Sequence, residues 1–216
     1  MSVKMTVLQD RDRWFSKRSN YIGGSDAASI IGMNPYRNNV DLWEIKTGRV
    51  AQEDISDKPY VRYGTLAEEH LRALYALDYP QYKVLYVENN MFLNDKYPFA
   101  HASLDGWLLD PNGRKGILEI KTTNILNSAM KDKWKDRIPD NYYVQVLHYL
   151  MVTEFDFVEL KAQLKYDIDG EIFEMTKHYH IERSDVEEDI KYLAEQEEKF
   201  WKYVRDEIRP PAILPI

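Results

Sequence analysis

The sequence predicts an α/β protein made of one compact domain, with a central β-sheet flanked by helices. Segments whose apolar residues recur at helical spacing stand before, between and after short segments whose apolar residues alternate. Neither an internal repeat nor a linker rich in glycine and serine divides the chain. With 216 residues, of which 44% are hydrophobic and 13% aromatic, the chain can bury one sizeable core.

The first 60 residues are predicted to be mainly helical. Capping residues mark the boundaries, because the Gly23-Gly24 pair precedes two possible N-caps and Gly48 follows an apolar stretch. The predicted helices are Arg11–Arg18, a short helix with Ser25 or Asp26 as its N-cap, and Val40–Thr47.

A long helix and a group of strands are predicted in the middle of the chain. Leucines recur at helical spacing from Val61 to Leu77, and Tyr79-Pro80 ends the run. The next segments alternate in polarity and are separated by turn residues, and the turn Asp110-Pro-Asn-Gly113 makes the last two a hairpin. The predicted antiparallel strands are Lys83–Val87, Met91–Leu93, Ala102–Leu109 and Gly116–Thr122.

The last third returns to helical spacing, then to two strands and a final charged helix. The two strands surround a turn at Asp169-Gly170, and Arg209-Pro-Pro ends the last helix. The apolar tail Ala212–Ile216 is expected to pack on a neighbouring surface. The predicted elements are a helix over Asn141–Val152, strands over Phe155–Leu164 and Glu171–His180, and a helix over about Ser184–Asp206.

Composition excludes several kinds of chemistry. The chain contains no cysteine, so disulfides, thiolate zinc sites, iron–sulfur clusters and cysteine nucleophiles are ruled out. No uncharged run approaches the roughly 20 residues that cross a bilayer, and we expect a cytoplasmic protein. The net charge of -7 disfavours a protein that coats nucleic acid but allows an enzyme with a local basic channel.

Asp105 and the stretch Glu119-Ile120-Lys121 lie on two adjacent predicted strands and suggest a metal centre. Side chains alternate along a strand, so Glu119 and Lys121 share a face while Ile120 is buried opposite and offers its carbonyl. Magnesium usually takes one or two carboxylates with water and substrate phosphate. Lys121 is then expected to hold or deprotonate a water, or to stabilise charge on phosphorus oxygens, which implies phosphodiester hydrolysis.

Glu-x-Lys on a strand is also common as an ordinary exposed pair, so its surroundings matter. The chain contains a second copy, Glu44-Ile-Lys-Thr47, in a helical stretch, and we interpret that copy as structural. The copy at Glu119 lies in a strand that is apolar on both faces. Glu68 on the preceding helix could reach the same ion, whereas Glu69 is expected to be solvated or paired.

A second helix contributes candidate polar groups. Gln145 and Tyr149 are four residues apart and project from one face, with His148 to one side. The glutamine amide can orient a water or a phosphate oxygen, and the tyrosine can stack or donate a hydrogen bond. Tyr149 could also be an ordinary core aromatic, and His148 is expected to be a partly buried histidine with satisfied hydrogen bonds.

Five motifs, in this order along the chain, resemble the YqaJ-like viral recombinase, or lambda exonuclease, family of the PD-(D/E)xK nuclease superfamily. The resemblance implies a restriction-endonuclease-like core with a mixed sheet, dependence on magnesium for which manganese could substitute, and 5′-to-3′ digestion of one strand of linear duplex DNA. The motifs are Ile22-Gly-Gly-Ser-Asp-Ala-Ala28, Tyr63-Gly-Thr-Leu-Ala-Glu-Glu69, Ala102-Ser-Leu-Asp-Gly106, Leu118-Glu-Ile-Lys-Thr122 and Tyr143-Val-Gln-Val-Leu-His-Tyr149.

The resemblance also implies residue roles. Lys121 matches the catalytic lysine, Gln145 the helix glutamine, and Arg18 and Ser25 the pocket for the 5′ phosphate. A guanidinium and a hydroxyl near a helix N-terminus suit an anion on physical grounds as well. The matches to metal ligands are Glu68, Asp105, Glu119 and the Ile120 carbonyl.

The resemblance divides the single nuclease domain into a helical part with the phosphate pocket at residues 1–60, a catalytic core at 61–165 and a C-terminal helix at 184–208. It further implies a single-strand annealing protein as partner and, by analogy, a ring of subunits such as a trimer.

Two alternatives to an exonuclease are an endonuclease on the same fold and an inactive module that binds DNA ends or proteins. Candidate channel residues are Lys131, Lys133, Lys135 and Arg137, interleaved with Trp134; a solvated loop of mixed charge is the alternative.

Overall fold

The computed structural model describes residues 2–213 and contains eight strands in two sheets among them. The strands are β1 (Val3–Val7), β2 (Lys83–Leu85), β3 (Asn90–Asn94), β4 (His101–Ala102), β5 (Gly106–Leu109), β6 (Lys115–Ile125), β7 (Phe157–Ile168) and β8 (Glu171–Glu182). The central sheet has the order β2-β5-β6-β7-β8, in which β6 and β7 are parallel and the other neighbours antiparallel. A small antiparallel sheet has the order β1-β3-β4.

Helices cover both faces of the central sheet, which confirms the predicted α/β domain with a mixed sheet. On one face β6 packs with α4 around Leu71, Tyr75 and Leu118, and on the other the larger core includes α2, α6 and α7. The helices are α1 (Arg11–Ser19), α2 (Gly24–Ile30), α3 (Asn39–Lys46), α4 (Pro59–Asp78), α5 (Ser128–Asp132), α6 (Asp140–Thr153) and α7 (Glu187–Arg205). None of the helices within residues 2–213 has the length and apolar character needed to span a bilayer.

Both predicted hairpin turns are present. Gly113 has a φ of 81° in the turn between β5 and β6. Asp169 and Gly170 have φ values of 55° and 86° between β7 and β8, as a two-residue turn that matches the twist of its strands requires.

The prediction of one strand over Ala102–Leu109 is wrong. The chain leaves the small sheet after Ala102 and enters the central sheet at Gly106, because β4 pairs only with β3 while β5 pairs with β2 and β6. Asp105 therefore lies just before β5 rather than within a strand.

The predicted N-cap of α2 is also wrong. Gly23 is the N-cap, and Asp26 is the third helical residue, whose carboxylate accepts the Gly23 N–H at 3.1 Å. The side chain of Asp26 reaches back to the N-cap backbone, as the third residue of a capping box does, instead of beginning the helix.

Two predicted structural roles, those of Lys46 and His148, are confirmed by contacts. Lys46, in the helical copy of Glu-x-Lys, is a buried ion-pair partner of Asp26 at 2.8 Å. His148 is fully buried between Glu197 at 2.7 Å and the His101 carbonyl at 2.8 Å. In the C-terminal tail, the Ile213 N–H binds Asn39 on α3 at 2.9 Å, and residues 214–216 lie outside the described part of the chain.

Candidate active site

A cavity of about 250 Å³ lies where α1, α4, β6 and α6 meet. A larger groove, of about 890 Å³, runs between α7 and the turn after β3, but it contains none of the predicted site residues. The smaller cavity brings together all but one of them: Arg18, Glu68, Asp105, Glu119, Ile120, Lys121, Gln145 and Tyr149. The exception is Ser25, which is exposed on α2 and does not line the cavity.

Strand β6 presents Glu119 and Lys121 to the helix α6. Leu118 and Ile120 pack on the opposite face against α4, as the alternation of side chains predicts. Glu119 is only 1% exposed, and its Oε1 lies 2.7 Å from Nζ of Lys121. An acidic and a basic group are therefore held together in a position that water barely reaches.

Gln145 connects this ion pair to the helix α6. Its amide nitrogen donates to Glu119 Oε1 at 3.0 Å and to the Tyr149 hydroxyl at 2.8 Å. Its amide oxygen accepts from Lys121 Nζ at 3.0 Å. Gly24 allows α2 to approach this network, since a Cβ there would lie 2.5 Å from the Tyr149 ring. The glutamine thus holds the orientation of both charged side chains.

Asp105 lies across from Glu119. Gly106 pairs with Leu118 in the antiparallel β5–β6 ladder, so one residue further Asp105 stands opposite Glu119. The Asp105 carboxylate accepts the Ile120 N–H at 2.9 Å, and its backbone carbonyl accepts a hydrogen bond from Arg72. Because the N–H and C=O of one strand residue point to the same side, the Ile120 carbonyl also faces Asp105.

The second carboxylate oxygen of Glu119 is the clearest sign of a missing partner. Oε2 is buried and has no hydrogen-bond partner among residues 2–213. A buried carboxylate oxygen needs a donor, a proton or a cation. No three acidic or histidine side chains in that range converge as a complete metal site. Magnesium needs only one or two carboxylates beside waters and a carbonyl, so Glu119, Asp105 and Ile120 fit it.

Burial raises the pKa of all three acidic side chains, and the charge of Asp105 adds to the effect at Glu68 and Glu119. Burial, then the charge of Asp105, raises the pKa of Glu119 to about 8. Burial, then the same charge, raises the pKa of Glu68 to about 7, and burial raises the pKa of Asp105. Burial opposes the charge of Lys121, but Glu119 and nearby groups outweigh it and raise its pKa, so the ammonium is retained. The cluster therefore favours a bound cation once its protons leave.

We expect Mg²⁺ to stabilise the protein more at about pH 9 than at about pH 6. Glu68 and Glu119 have folded-state pKa values above their unfolded values, so the fold without metal loses stability as pH rises from about 4.5 to about 8. Metal ligands must be deprotonated, so the ion restores stability only as pH rises through about 7 and about 8, the pKa values of these two groups. The measurement is the thermal unfolding midpoint with and without Mg²⁺ at each pH. Equal increments at both pH values, or an undiminished increment in Glu119→Gln, would contradict the expectation.

Arg18 forms the cationic side of the cavity. Its guanidinium carbon lies 3.9 Å from the centre of the Trp14 ring, and burial lowers its pKa without removing its charge. Ser103 was not identified from the sequence as a site residue. Its hydroxyl is buried without a partner among residues 2–213 and lines the same cavity. The only sequence signal was its place in the Ala102–Gly106 motif.

The predicted channel segment lies beside the cavity but differs from expectation in one residue. Trp134 is 2% exposed and packs on Tyr142, so its ring is not available between the basic side chains. Tyr142 in turn lies 4.7 Å from Lys121 Nζ. The basic residues on either side of the buried Trp134 are exposed; they are Lys131, Lys133, Lys135 and Arg137.

Solved structures with a similar fold include exonucleases. The alkaline exonuclease LHK-Exo from Laribacter hongkongensis is similar with a TM-score of 0.64 and 17% identity, over 92% of this chain and 94% of that one. Its complex with dAMP is similar with a TM-score of 0.62 and 18% identity over the same shares. A phage-related exonuclease from Haemophilus somnus 129PT has a TM-score of 0.55 and 17% identity, over 87% of this chain and 96% of that one.

The sequence comparison then identifies the family. The YqaJ-like viral recombinase domain matches residues 13–156, and the chain belongs to that family. The uncharacterized protein YqaJ of Bacillus subtilis (strain 168) is 34% identical over 193 residues, which are 88% of this chain. The chain spans 55% of the length of that relative.

Proposed function

We propose that this protein is a metal-dependent exonuclease that digests one strand of linear double-stranded DNA from 5′ to 3′. The 3′ single-stranded tails that remain would serve phage-type homologous recombination. The observation that carries the proposal is the buried, unpartnered Glu119 Oε2 beside Lys121, in a cavity that also contains Asp105 and Arg18. Family membership and the exonuclease fold of the solved relatives support it.

The proposed metal is Mg²⁺, with Mn²⁺ as a substitute. Its ligands would be Asp105, Glu119 and the Ile120 carbonyl, together with Glu68, which lines the same cavity and would have to move towards the other two carboxylates when the ion binds. When bound, the ion would supply positive charge that polarises the phosphate and lowers the pKa of water. Lys121 keeps its proton at neutral pH, so it would donate a hydrogen bond to a phosphate oxygen and stabilise the charge that develops there.

Gln145 and Tyr149 complete the proposed machinery. Gln145 holds Lys121 and Glu119 in a fixed geometry before the substrate arrives, which reduces the reorganisation that the reaction requires. The Tyr149 hydroxyl accepts a hydrogen bond from Gln145 at 2.8 Å and is available to donate a hydrogen bond to DNA.

Arg18 would bind the 5′ phosphate of the substrate. A guanidinium binds a phosphate by charge-assisted hydrogen bonds, and the free Ser103 hydroxyl could add another. Ser25 stays a proposed DNA contact outside the cavity. In this arrangement residues 1–60 would carry the phosphate pocket, 61–165 the catalytic core and 184–208 the C-terminal helix.

We further propose that the protein acts in the cytoplasm of a bacterial host and passes its product to a single-strand annealing protein. A closed ring of subunits, such as a trimer, would keep the enzyme on duplex DNA between cleavage events. The exposed cations around Trp134 and the acidic chain as a whole suit such a channel, because phosphate binding would then be confined to one surface.

The test is to incubate 5′-phosphorylated linear duplex and covalently closed circles side by side, with Mg²⁺ and with EDTA. We expect Mg²⁺-dependent loss of nucleotides from the 5′ ends of linear DNA only, followed with a label at each end in turn. Cleaved or nicked circles would support an endonuclease on the same fold. No cleavage of either substrate would support an inactive module that binds DNA ends.

A further inference from the structure

Asn90 lies between the helix that carries Arg18 and the segment that carries Asp105. It is the first residue of β3, is 4% exposed and lines the cavity. We propose that Asn90 is a positioning residue that fixes the position of the acidic cluster relative to α1. This inference rests on the proposed nuclease function and adds a residue to which none of the five motifs assigns a role.

The side chain of Asn90 binds the backbone on both sides of Leu104. Its Oδ1 accepts the Leu104 N–H at 2.8 Å, and its Nδ2 donates to the Leu104 carbonyl at 2.9 Å. The same Nδ2 donates to the Val87 carbonyl at 2.9 Å. The Asn90 amide that makes these three bonds is buried.

These bonds replace a strand partner where the chain changes sheets. Leu104 lies after β4, which pairs only through His101 and Ala102, and before β5, whose ladder begins at Gly106. The pair of bonds to one residue repeats the pattern by which two antiparallel strands exchange N–H and C=O groups. Asp105 is the next residue, so the direction of its carboxylate depends on this contact.

The backbone of Asn90 contacts α1 on the other side of the cavity. Its carbonyl accepts from the Trp14 indole N–H at 3.0 Å, and the Trp14 ring lies against the Arg18 guanidinium. Arg72 also binds the backbone of Asp105, but no hydrogen bond joins Arg72 to α1 within residues 2–213. Asn90 is therefore the residue whose hydrogen bonds reach both Trp14 and Leu104.

Asparagine is the residue type that this position requires. The contact with Leu104 needs one hydrogen-bond acceptor and one donor at the end of the same side chain. An amide group supplies both. Aspartate has the same shape but, when ionised, can only accept. Alanine leaves the buried N–H and C=O of Leu104, and the more exposed Val87 carbonyl, without these partners.

The test compares Asn90→Ala with the matched variant Asn94→Ala. Asn94 lies in the same strand, is 3% exposed, and likewise binds backbone groups, at Val152 and Lys96, outside the cavity. We expect both variants to lower the thermal unfolding midpoint. Only Asn90→Ala should lower kcat, by about 10²-fold, as a displacement near 1 Å of a reacting group does.

Two further measurements do not depend on turnover. Isothermal titration with Mn²⁺ should show weaker binding in Asn90→Ala than in Asn94→Ala. Binding of 5′-phosphorylated duplex in EDTA should lose its advantage over 5′-hydroxyl duplex in the same variant. If the alanine variant does not fold, Asn90→Asp replaces it in these measurements. Aspartate keeps the size of the side chain and the acceptor, so this variant should fold and lose part of the Mn²⁺ affinity and part of the end preference.

The outcomes separate this inference from the proposed function. If the wild type and Asn94→Ala cleave DNA and Asn90→Ala matches Asn94→Ala in kcat, Mn²⁺ binding and end preference, Asn90 is only structural. If the wild type does not cleave, the nuclease proposal fails. The Mn²⁺ titrations of the three variants then still decide whether Asn90 positions the acidic cluster.

Discussion

Exchange of Glu119 for glutamine is expected to lower kcat by about 10³-fold or more while making the metal-free protein more stable above neutral pH. The amide keeps the size of the side chain and can still accept from Lys121, but it removes the buried Oε2 that faces the proposed ion. Because burial raises the pKa of Glu119 to about 8, its carboxylate form weakens the fold as pH rises, and glutamine has no such form. Asp105→Asn and Lys121→Ala are expected to abolish cleavage as well.

The control for Glu119→Gln is Glu159→Gln. Glu159 lies on the neighbouring strand β7, is 8% exposed and pairs with His180 at 2.7 Å, away from the cavity. The same chemical change there should leave cleavage within a few-fold of the wild type. Wild-type turnover by Glu119→Gln, measured on linear duplex with Mg²⁺, would remove Glu119 from the active site.

Exchange of Arg18 for alanine is expected to slow digestion of 5′-phosphorylated ends by about 10- to 100-fold, and of 5′-hydroxyl ends much less. A hydrogen bond to a charged group contributes about 1.5–3 kcal/mol, which corresponds to this range. The measurement is kcat/KM on two linear duplexes that differ only in the terminal phosphate.

Arg13→Ala is the matched control for Arg18→Ala. It removes the same charge from the same helix, but Arg13 is exposed and bonded to Gln9 and Asp10. The phosphate preference should persist in that variant. If Arg18→Ala slows both kinds of end equally, Arg18 is a general backbone contact and not the 5′-phosphate ligand.

The elements with local signals were predicted well. The β7–β8 hairpin follows from two alternating segments around Asp169-Gly170, whose positive φ values are properties of the turn residues themselves. The strand β1 and the short helix α5 were not predicted. β1 has only five residues and depends on pairing with β3, which is more than 80 positions further along the chain.

The core of the site was predictable for the same reason. Glu119 and Lys121 share a face because they are two residues apart on one strand, and Gln145 and Tyr149 share a face because they are four apart on one helix. Ser103, Trp14 and Asn90 have no such local pattern. Their roles depend on contacts such as Asn90 to Leu104, which are set only when the two sheets form.

The sequence by itself determined the α/β class, the family and the pair of charged residues on β6, because periodicity and motif spacing are local properties of the chain. Only the tertiary structure decided where the strand before Asp105 breaks, that Trp134 is buried and that Ser25 lies outside the cavity. It also decided that Glu119 keeps one oxygen unpaired. Burial and hydrogen-bond partners depend on residues that are distant in sequence, and these set the pKa values and the geometry on which the proposed chemistry depends.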